Sequence, residues 1–284
     1  MSSGNTNTKA LIHLVGSEGF IGAAVQREAT RNDLHCWSHN HHRQSHRFNL
    51  LEPNSWETLL NYQPKVIIFL SWPGLPNYEK DFHLTRNLPA AIELFKKLSH
   101  AGLKRLVVAG TCYEYGLQNG SLRESGLTDP INSYAIAKDS LRRWLVQHSK
   151  RVELEWTWLR IFYPIGVGQN PNSLLPSLEH AIESCQESFP MSSGRQLRDF
   201  IKVETVAQQL LLLATHPKAK GVYNGGTGKP ISIRELVEAR IEKNGSPIKL
   251  KLGSYPERED EPLSYWSDMT RMDALQSLPP DLLQ

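Results

Sequence analysis

Up to Ile161 the chain alternates short apolar runs with longer stretches of helical period, an order that few topologies can satisfy. Residues 10–15, 34–37, 66–70, 105–109 and 154–161 read as strands, and 20–32, 55–62, 78–101 and 133–147 as helices. Strands apolar on both faces need cover on both faces, which helices crossing over between parallel strands supply. A doubly wound α/β fold with a parallel sheet is therefore expected. Pro89 conflicts with the long helix, because an interior proline removes a backbone hydrogen bond.

Beyond Pro164 the alternation gives way to Pro/Gly/Asn-rich segments at 166–176, 192–199 and 225–230, with helices expected at 175–187, 203–215 and 233–243. Loops on a rigid scaffold commonly carry recognition. Residues 1–164 are thus read as one domain and 165–284 as a smaller substrate-facing lobe, interleaved with it and without a clean linker. The polar, proline-interrupted tail from Leu275 reads as a surface extension.

The 284 residues suffice for a large core, and 32 Lys+Arg against 29 Asp+Glu leave a net charge of +3. That balance is too weak and dispersed for a nucleic-acid footprint, so any anionic partner is small. No apolar run approaches the ~18 residues of a membrane span, and the polar opening lacks a signal peptide's apolar segment. The three cysteines, Cys36, Cys112 and Cys185, are far apart and odd in number, which argues against a disulfide framework or a zinc site. A reducing, cytoplasmic setting is expected.

Directly after the first strand comes Gly16-Ser17-Glu18-Gly19-Phe20-Ile21-Gly22, a turn that opens into a helix. Glycines there let backbone N–H groups approach a pyrophosphate at a helix N-terminus; the alternative is a tight turn with no ligand. The second strand ends in Cys36-Trp37-Ser38-His39-Asn40-His41-His42-Arg43, with no acid to hold a ribose. Ser38, His39 and Arg43 therefore favour NADP, with NAD possible. A solvated polar loop is the competing reading. The five histidines between residues 35 and 46 have no interleaved carboxylate or thiolate beyond Cys36, so no metal is expected.

Tyr134 and Lys138 stand one helical turn apart, and an ammonium beside a phenol lowers its pKa toward usable acid–base chemistry. Such pairs also occur on plain surfaces. Thr111, in Gly110-Thr111-Cys112-Tyr113-Glu114-Tyr115-Gly116, follows the fourth strand at its carboxyl end, where ligands bind in open α/β sheets.

Together the glycine turn, Thr111, Tyr134-x-x-x-Lys138 and the chain length resemble the extended short-chain dehydrogenase/reductases acting on nucleotide sugars, a Rossmann-type family. Asn87, Glu124 and Pro130, the segments 159–166 and 194–201, and Tyr223-Asn224-Gly225-Gly226 extend the likeness over about residues 10–270. Within the family the likeness points to the paratose/abequose synthase branch. The resemblance implies that Tyr134 exchanges a proton with the sugar oxygen, that Thr111 hydrogen-bonds that oxygen, and that Lys138 holds the nicotinamide ribose and depresses the Tyr134 pKa. It also places Gly16, Gly19, Phe20, Ile21, Gly22, Leu70 and Asn87 at the cofactor. Tyr163, Arg198 and Arg258 fall at a nucleotide-diphosphate sugar; for Arg198 a salt bridge to Asp199 or Glu204 is the alternative. Cys112 and Tyr113 replace the dehydratases' Asp-Glu pair, which disfavours elimination, and Ser71-Trp72-Pro73 replaces a small Ala-Ala pair.

An NADPH-dependent reductase of a 4-keto-6-deoxy-hexose is the leading expectation, an NAD-dependent 4-epimerase the runner-up and a non-catalytic dinucleotide binder the third. The family likeness also implies a homodimer through the helices at 78–101 and 133–147. Their Phe82, Leu88, Leu94, Phe95 and Leu98 could equally be core.

Overall fold

A computed structural model describes residues 11–39, 47–257 and 261–278. From the start of these, β1 (Ile12–Val15) leads through the glycine turn into α1 (Phe20–Arg31), β2 (Cys36–His39), a 3₁₀ turn (Pro53–Ser55), α2 (Trp56–Asn61) and β3 (Val66–Phe69). A π-helical turn (His83–Asn87) opens α3 (Leu88–His100), followed by β4 (Arg105–Thr111), a 3₁₀ turn (Cys112–Tyr115), β5 (Gly120–Leu122), α4 (Ser133–Ser149) and β6 (Glu155–Ile161). Then come β7 (Tyr163–Ile165), α5 (Leu174–Glu183), β8 (Ser188–Pro190), β9 (Leu197–Arg198), β10 (Phe200–Lys202), α6 (Val203–Thr215) and β11 (Gly221–Gly225). The chain closes with β12 (Ile231–Ser232), α7 (Ile233–Lys243), β13 (Lys249–Lys251), β14 (Ser264–Ser267) and α8 (Thr270–Gln276).

Six parallel strands form the central sheet in the order β11-β6-β4-β3-β1-β2. The strand order reverses between β1 and β3, which opens a crevice at their carboxyl ends. All four residues of β1 are buried, as a strand covered on both faces requires. Ile12, Leu14, Ala24, Val25, Val206 and Leu210 build the core beneath α1 and α6. On the opposite face Phe69, Leu94, Phe95, Leu98, Leu141 and Leu145 pack beneath α3 and α4. Leu94, Phe95 and Leu98 are therefore core side chains and not a surface for a second copy.

The expected helix over 78–101 is shorter. Regular α-helix begins at Leu88, so Pro89 falls in its first turn, where a missing N–H costs least. The layer boundary also departs from residue 164. Both α6 and β11, from the second half, return to the central sheet, whereas β5, from the first half, joins the smaller four-stranded sheet β12-β9-β14-β5. Leu275 is likewise no surface tail: with Met272 it anchors α8 in the core beside β11. The outer lobe has its own apolar centre of Leu175, Leu178, Phe189, Met191, Val237 and Ile248. Where the two layers meet, Cys112, Tyr115, Leu122, Phe162 and Tyr265 form a small core just beyond the end of β4. Among the described residues no helix is long and apolar enough to cross a membrane.

Candidate active site

The glycine turn sits at the crevice. Gly16 has φ +91°, and a Cβ there would meet the backbone of Ser71 at 2.8 Å; one on Gly22 would meet the Gly16 carbonyl at 2.2 Å. Packing thus demands these two glycines. At Gly19 a Cβ would find only ordinary contact, 3.6 Å from the Gly16 oxygen, so its small size leaves the helix mouth open rather than relieving a clash. Gly19 caps α1 without a side-chain bond, and no acid stands in the first turn. The first amides of α1, with Phe20 and Ile21 half-buried beside them, are left to an anion. The Ser17 hydroxyl is buried at this turn without a hydrogen-bond partner among the described residues. Leu70, bonded to the Val15 carbonyl at 2.9 Å, forms the opposite wall.

At the end of β2 one expectation is corrected. His39 is fully buried: its ring stacks on His13 at 5.2 Å, with Nε2 3.0 Å from His13 Nδ1. This imidazole lies inside the protein and does not reach a ribose phosphate; the residue instead accepts the Gly16 N–H with its carbonyl, at 3.0 Å. Ser38 faces α1, where Gln26 donates to its hydroxyl. Arg43 and Arg258 lie outside the described residues.

Thr111, Tyr134 and Lys138 come together at the carboxyl end of β4. The helix α4, capped by the Asn132 side chain on the Ala135 N–H at 2.8 Å, turns Tyr134, Ala137, Lys138, Leu141 and Leu145 toward the sheet. Burial drives the Tyr134 phenol well above its usual range, and the hydrogen bond with the Thr111 side chain opposes that push. Burial brings the Lys138 ammonium down to about 7, against the pull of Glu114. The net direction of the Tyr134 shift is thus set by burial; the Lys138 Nζ donates to the Ala109 carbonyl at 3.0 Å and sits 5.9 Å from the Tyr134 ring centroid.

Glu114 fixes Thr111. Its Oε1 accepts the Thr111 N–H at 3.0 Å and Trp158 Nε1 at 2.8 Å, its Oε2 accepts Arg160 Nε at 2.8 Å, and the Thr111 hydroxyl accepts the Tyr113 N–H in return. Arg160, in the family-like 159–166 segment, is thus a buried structural partner. Asn87 is fully buried; its Nδ2 donates to the Pro73 carbonyl at 2.8 Å, while its Oδ1 has no partner among the described residues.

On the other side of Thr111, the Tyr163 and Tyr265 hydroxyls meet at 2.5 Å and Cys112 Sγ lies 3.5 Å from the latter. Burial pushes the Cys112 thiol up to about 12 and raises Tyr113 well above its ordinary value, so neither is a ready base. Arg198 departs from expectation. Only 1% exposed, its guanidinium is held by the Glu261 carboxylate at 2.9 Å and the Leu197 carbonyl at 2.9 Å, and it does not pair with Asp199 or Glu204. Asp199 is instead filled by Thr227, Gly228 and Ser267.

Sequence reasoning missed Glu114, Trp72, His83 and Tyr265. The Thr-x-x-Glu spacing of a capping box signals Glu114; no local signal marks Tyr265, which meets Cys112 across 153 positions.

A sequence model of the family described as NAD dependent epimerase/dehydratase matches residues 12–226. The dTDP-6-deoxy-L-talose 4-dehydrogenase (NAD(+)) of Aggregatibacter actinomycetemcomitans is 30% identical over 203 residues, which cover 71% of this chain and 74% of that protein. Among solved structures, MoeE5 in complex with UDP-glucose and NAD matches with a TM-score of 0.80 at 26% identity, over 93% of this chain and 91% of that one. RMD from Pseudomonas aeruginosa complexed with NADPH matches with a TM-score of 0.84 at 22% identity, over 96% and 94%, a likeness that concerns the fold alone.

Proposed function

This chain belongs to the NAD-dependent epimerase/dehydratase family, and from that premise we propose that it reduces the C4 keto group of a nucleotide-activated 4-keto-6-deoxy-hexose with NADPH. The observation that carries the reading is the burial of Thr111, Tyr134 and Lys138 together, across β3 from the glycine turn. The open helix mouth at Gly19 and the buried, unpartnered Ser17 hydroxyl suit a pyrophosphate, and the unpartnered Asn87 Oδ1 suits the same dinucleotide farther along the crevice. Gly16, Gly19, Phe20, Ile21 and Gly22 would hold the phosphates, Ser38 the adenosine end, and Leu70, Asn87 and Lys138 the nicotinamide end. When bound there, the cofactor would supply hydride to the sugar carbon.

Tyr134 supplies the proton. Its burial keeps the phenol protonated through neutral pH, which suits a donor to the C4 oxygen as that oxygen gains charge. The Thr111 hydroxyl, fixed by Glu114, hydrogen-bonds the same oxygen, and the Lys138 ammonium favours charge developing beside it. Cys112 and Tyr113 stand in place of the carboxylate pair of the family's dehydratases, which disfavours elimination. A 4-dehydrogenase of a 6-deoxy nucleotide sugar, the activity named for the relative, is this step run in reverse. Arg198 would have to exchange Glu261 to grip the diphosphate, and its buried Nε has no hydrogen-bond partner among the described residues.

Titration with NADPH and NADH side by side, on protein first checked for dinucleotide released on denaturation, tests the cofactor. Consumption of NADPH on adding a 4-keto-6-deoxy nucleotide hexose tests the reaction. Tyr134→Phe is expected to lower turnover by ~10²–10⁴ with cofactor affinity kept. Tightly retained NAD together with inversion at C4 would overturn the reading in favour of a 4-epimerase.

A further inference from the structure

Trp72 stands where the family commonly has a small residue, and the reaction above gives it no task. Its indole is 8% exposed and makes two directed contacts. The ring face meets the Lys138 ammonium, 4.0 Å from Nζ to the centroid, and the edge donates from Nε1 to His83 Nδ1 at 3.1 Å. His83 is fully buried. Because its Nδ1 accepts, its Nε2 carries the proton, which goes to the Asn77 carbonyl at 2.9 Å. Asn87 Nδ2 lies 3.2 Å from the same Nδ1. The plane of the indole is thus fixed from its edge. Tyr134 closes the cluster, its ring 6.3 Å from Trp72 and 5.5 Å from His83.

An ammonium has three donors, and Lys138, 2% exposed, uses one on the Ala109 carbonyl. Among the described residues no carboxylate lies within ion-pair distance of it. The groups that face Lys138 are Tyr134 on its own helix, Glu114 from the turn after β4, and His83 from the π-turn. Glu114 is engaged by Arg160, and burial, with the Lys138 charge adding to it, lowers the His83 pKa against the pull of the Asn77 hydrogen bond. The indole face is what remains to replace the lost hydration of the cation.

We propose that Trp72, locked by His83, is a positioning residue for Lys138: its ring face holds the ammonium at the Ala109 carbonyl and favours the charged form inside the buried pocket. The role of Lys138 in holding a cofactor rests on the function proposed above; the contact with Trp72 does not.

The free protein gives the first test. Among seven tryptophans, the one beneath Lys138 should change its emission as that amine titrates, near pH 7. Wild type is expected to show the step, and Lys138→Met and Trp72→Phe to lack it; superimposable wild-type and Lys138→Met curves would overturn the proposal. The second test is dinucleotide affinity against pH. Affinity should fall as Lys138 loses its proton, and Trp72→Leu, lacking the ring face, should move that fall to lower pH by about 0.5–1.5 units, with Trp72→Phe restoring most of it. His83→Leu keeps the indole but frees its edge, and is expected to shift the profile the same way by less, which leaves a measurement if Trp72→Leu fails to fold. A Trp72→Leu or His83→Leu profile that follows wild type would sink the inference while leaving the proposed reaction intact. Failure of wild type to bind either dinucleotide would sink the reaction, and the emission titration would still decide the role of Trp72.

Discussion

A single carboxylate holds the order of the site. Glu114 is fully buried and meets four donors or cations: the Thr111 N–H, the Trp158 indole, Arg160 at 2.8 Å and, more loosely, Arg142 at 3.7 Å. Glu114→Gln keeps one acceptor oxygen for Thr111 and Trp158 but turns an amide toward Arg160, leaving a guanidinium that is 1% exposed without its counter-charge. Removing one partner of a buried pair costs ~3–5 kcal/mol, far more than an exposed pair would. A fall of that size in the urea-derived stability is expected; an unchanged midpoint would mean that Arg160 finds another counter-charge. Tyr134 with Lys138 was legible from helical spacing, whereas the equally local capping box of Thr111 with Glu114 was passed over. Trp72 was visible only as an oddity, because its meaning depends on His83 and on an amine that the fold brings to it.

The edge of the sheet shows why polar residues mislead at the scale of an element. The sequence reading ended the second strand at residue 37, whereas β2 runs to His39 and buries that ring against His13, 26 positions earlier. Two imidazoles that satisfy each other across neighbouring strands look like loop residues when read singly. Their burial has a measurable consequence. An unfolded histidine takes its proton at about 6.5, whereas burial brings His13 down to about 4. Between those values the unfolded chain binds more protons than the folded one, so the contribution is complete above 6.5 and lost as pH falls toward 4. The full loss is on the order of 3 kcal/mol. Urea midpoints measured from about pH 7 down to about pH 5 should decline in wild type and decline less in His13→Phe, which keeps a ring without the titrating nitrogen. Parallel slopes would assign the decline to other groups. Pro89 misled in the opposite sense: read as a fault inside a long helix, it marks where α3 starts.

At the scale of the whole molecule, the chain order that revealed a parallel sheet did not reveal where its last strand comes from. Nothing local distinguishes residues 203–225 from the lobe around them, yet α6 covers one face of the sheet and β11 extends it beside β6. Contacts between segments so far apart in sequence leave no periodic trace. A fragment ending at Pro164 would therefore keep β1, β3, β4 and β6 but strip them of Val206, Leu210, Leu211, Leu213 and Tyr223, all buried. At ~1.5–3 kcal/mol for each large apolar side chain, that burial amounts to on the order of 10 kcal/mol, comparable to the entire stability of a typical domain. Residues 1–164 alone are thus expected to lack a cooperative urea transition and to bind a hydrophobic dye, because the part of the sheet that α6 covers beside α1 is exposed. In the full chain the layers also share Phe162 and Tyr265 and a 2.7 Å bond from the Tyr115 hydroxyl to Asn224, so tryptophan emission and far-ultraviolet dichroism should trace one coincident transition. A cooperative transition in the fragment at the midpoint of the intact protein would show that the sheet is complete without α6 and β11, and that the layers divide at residue 164 after all.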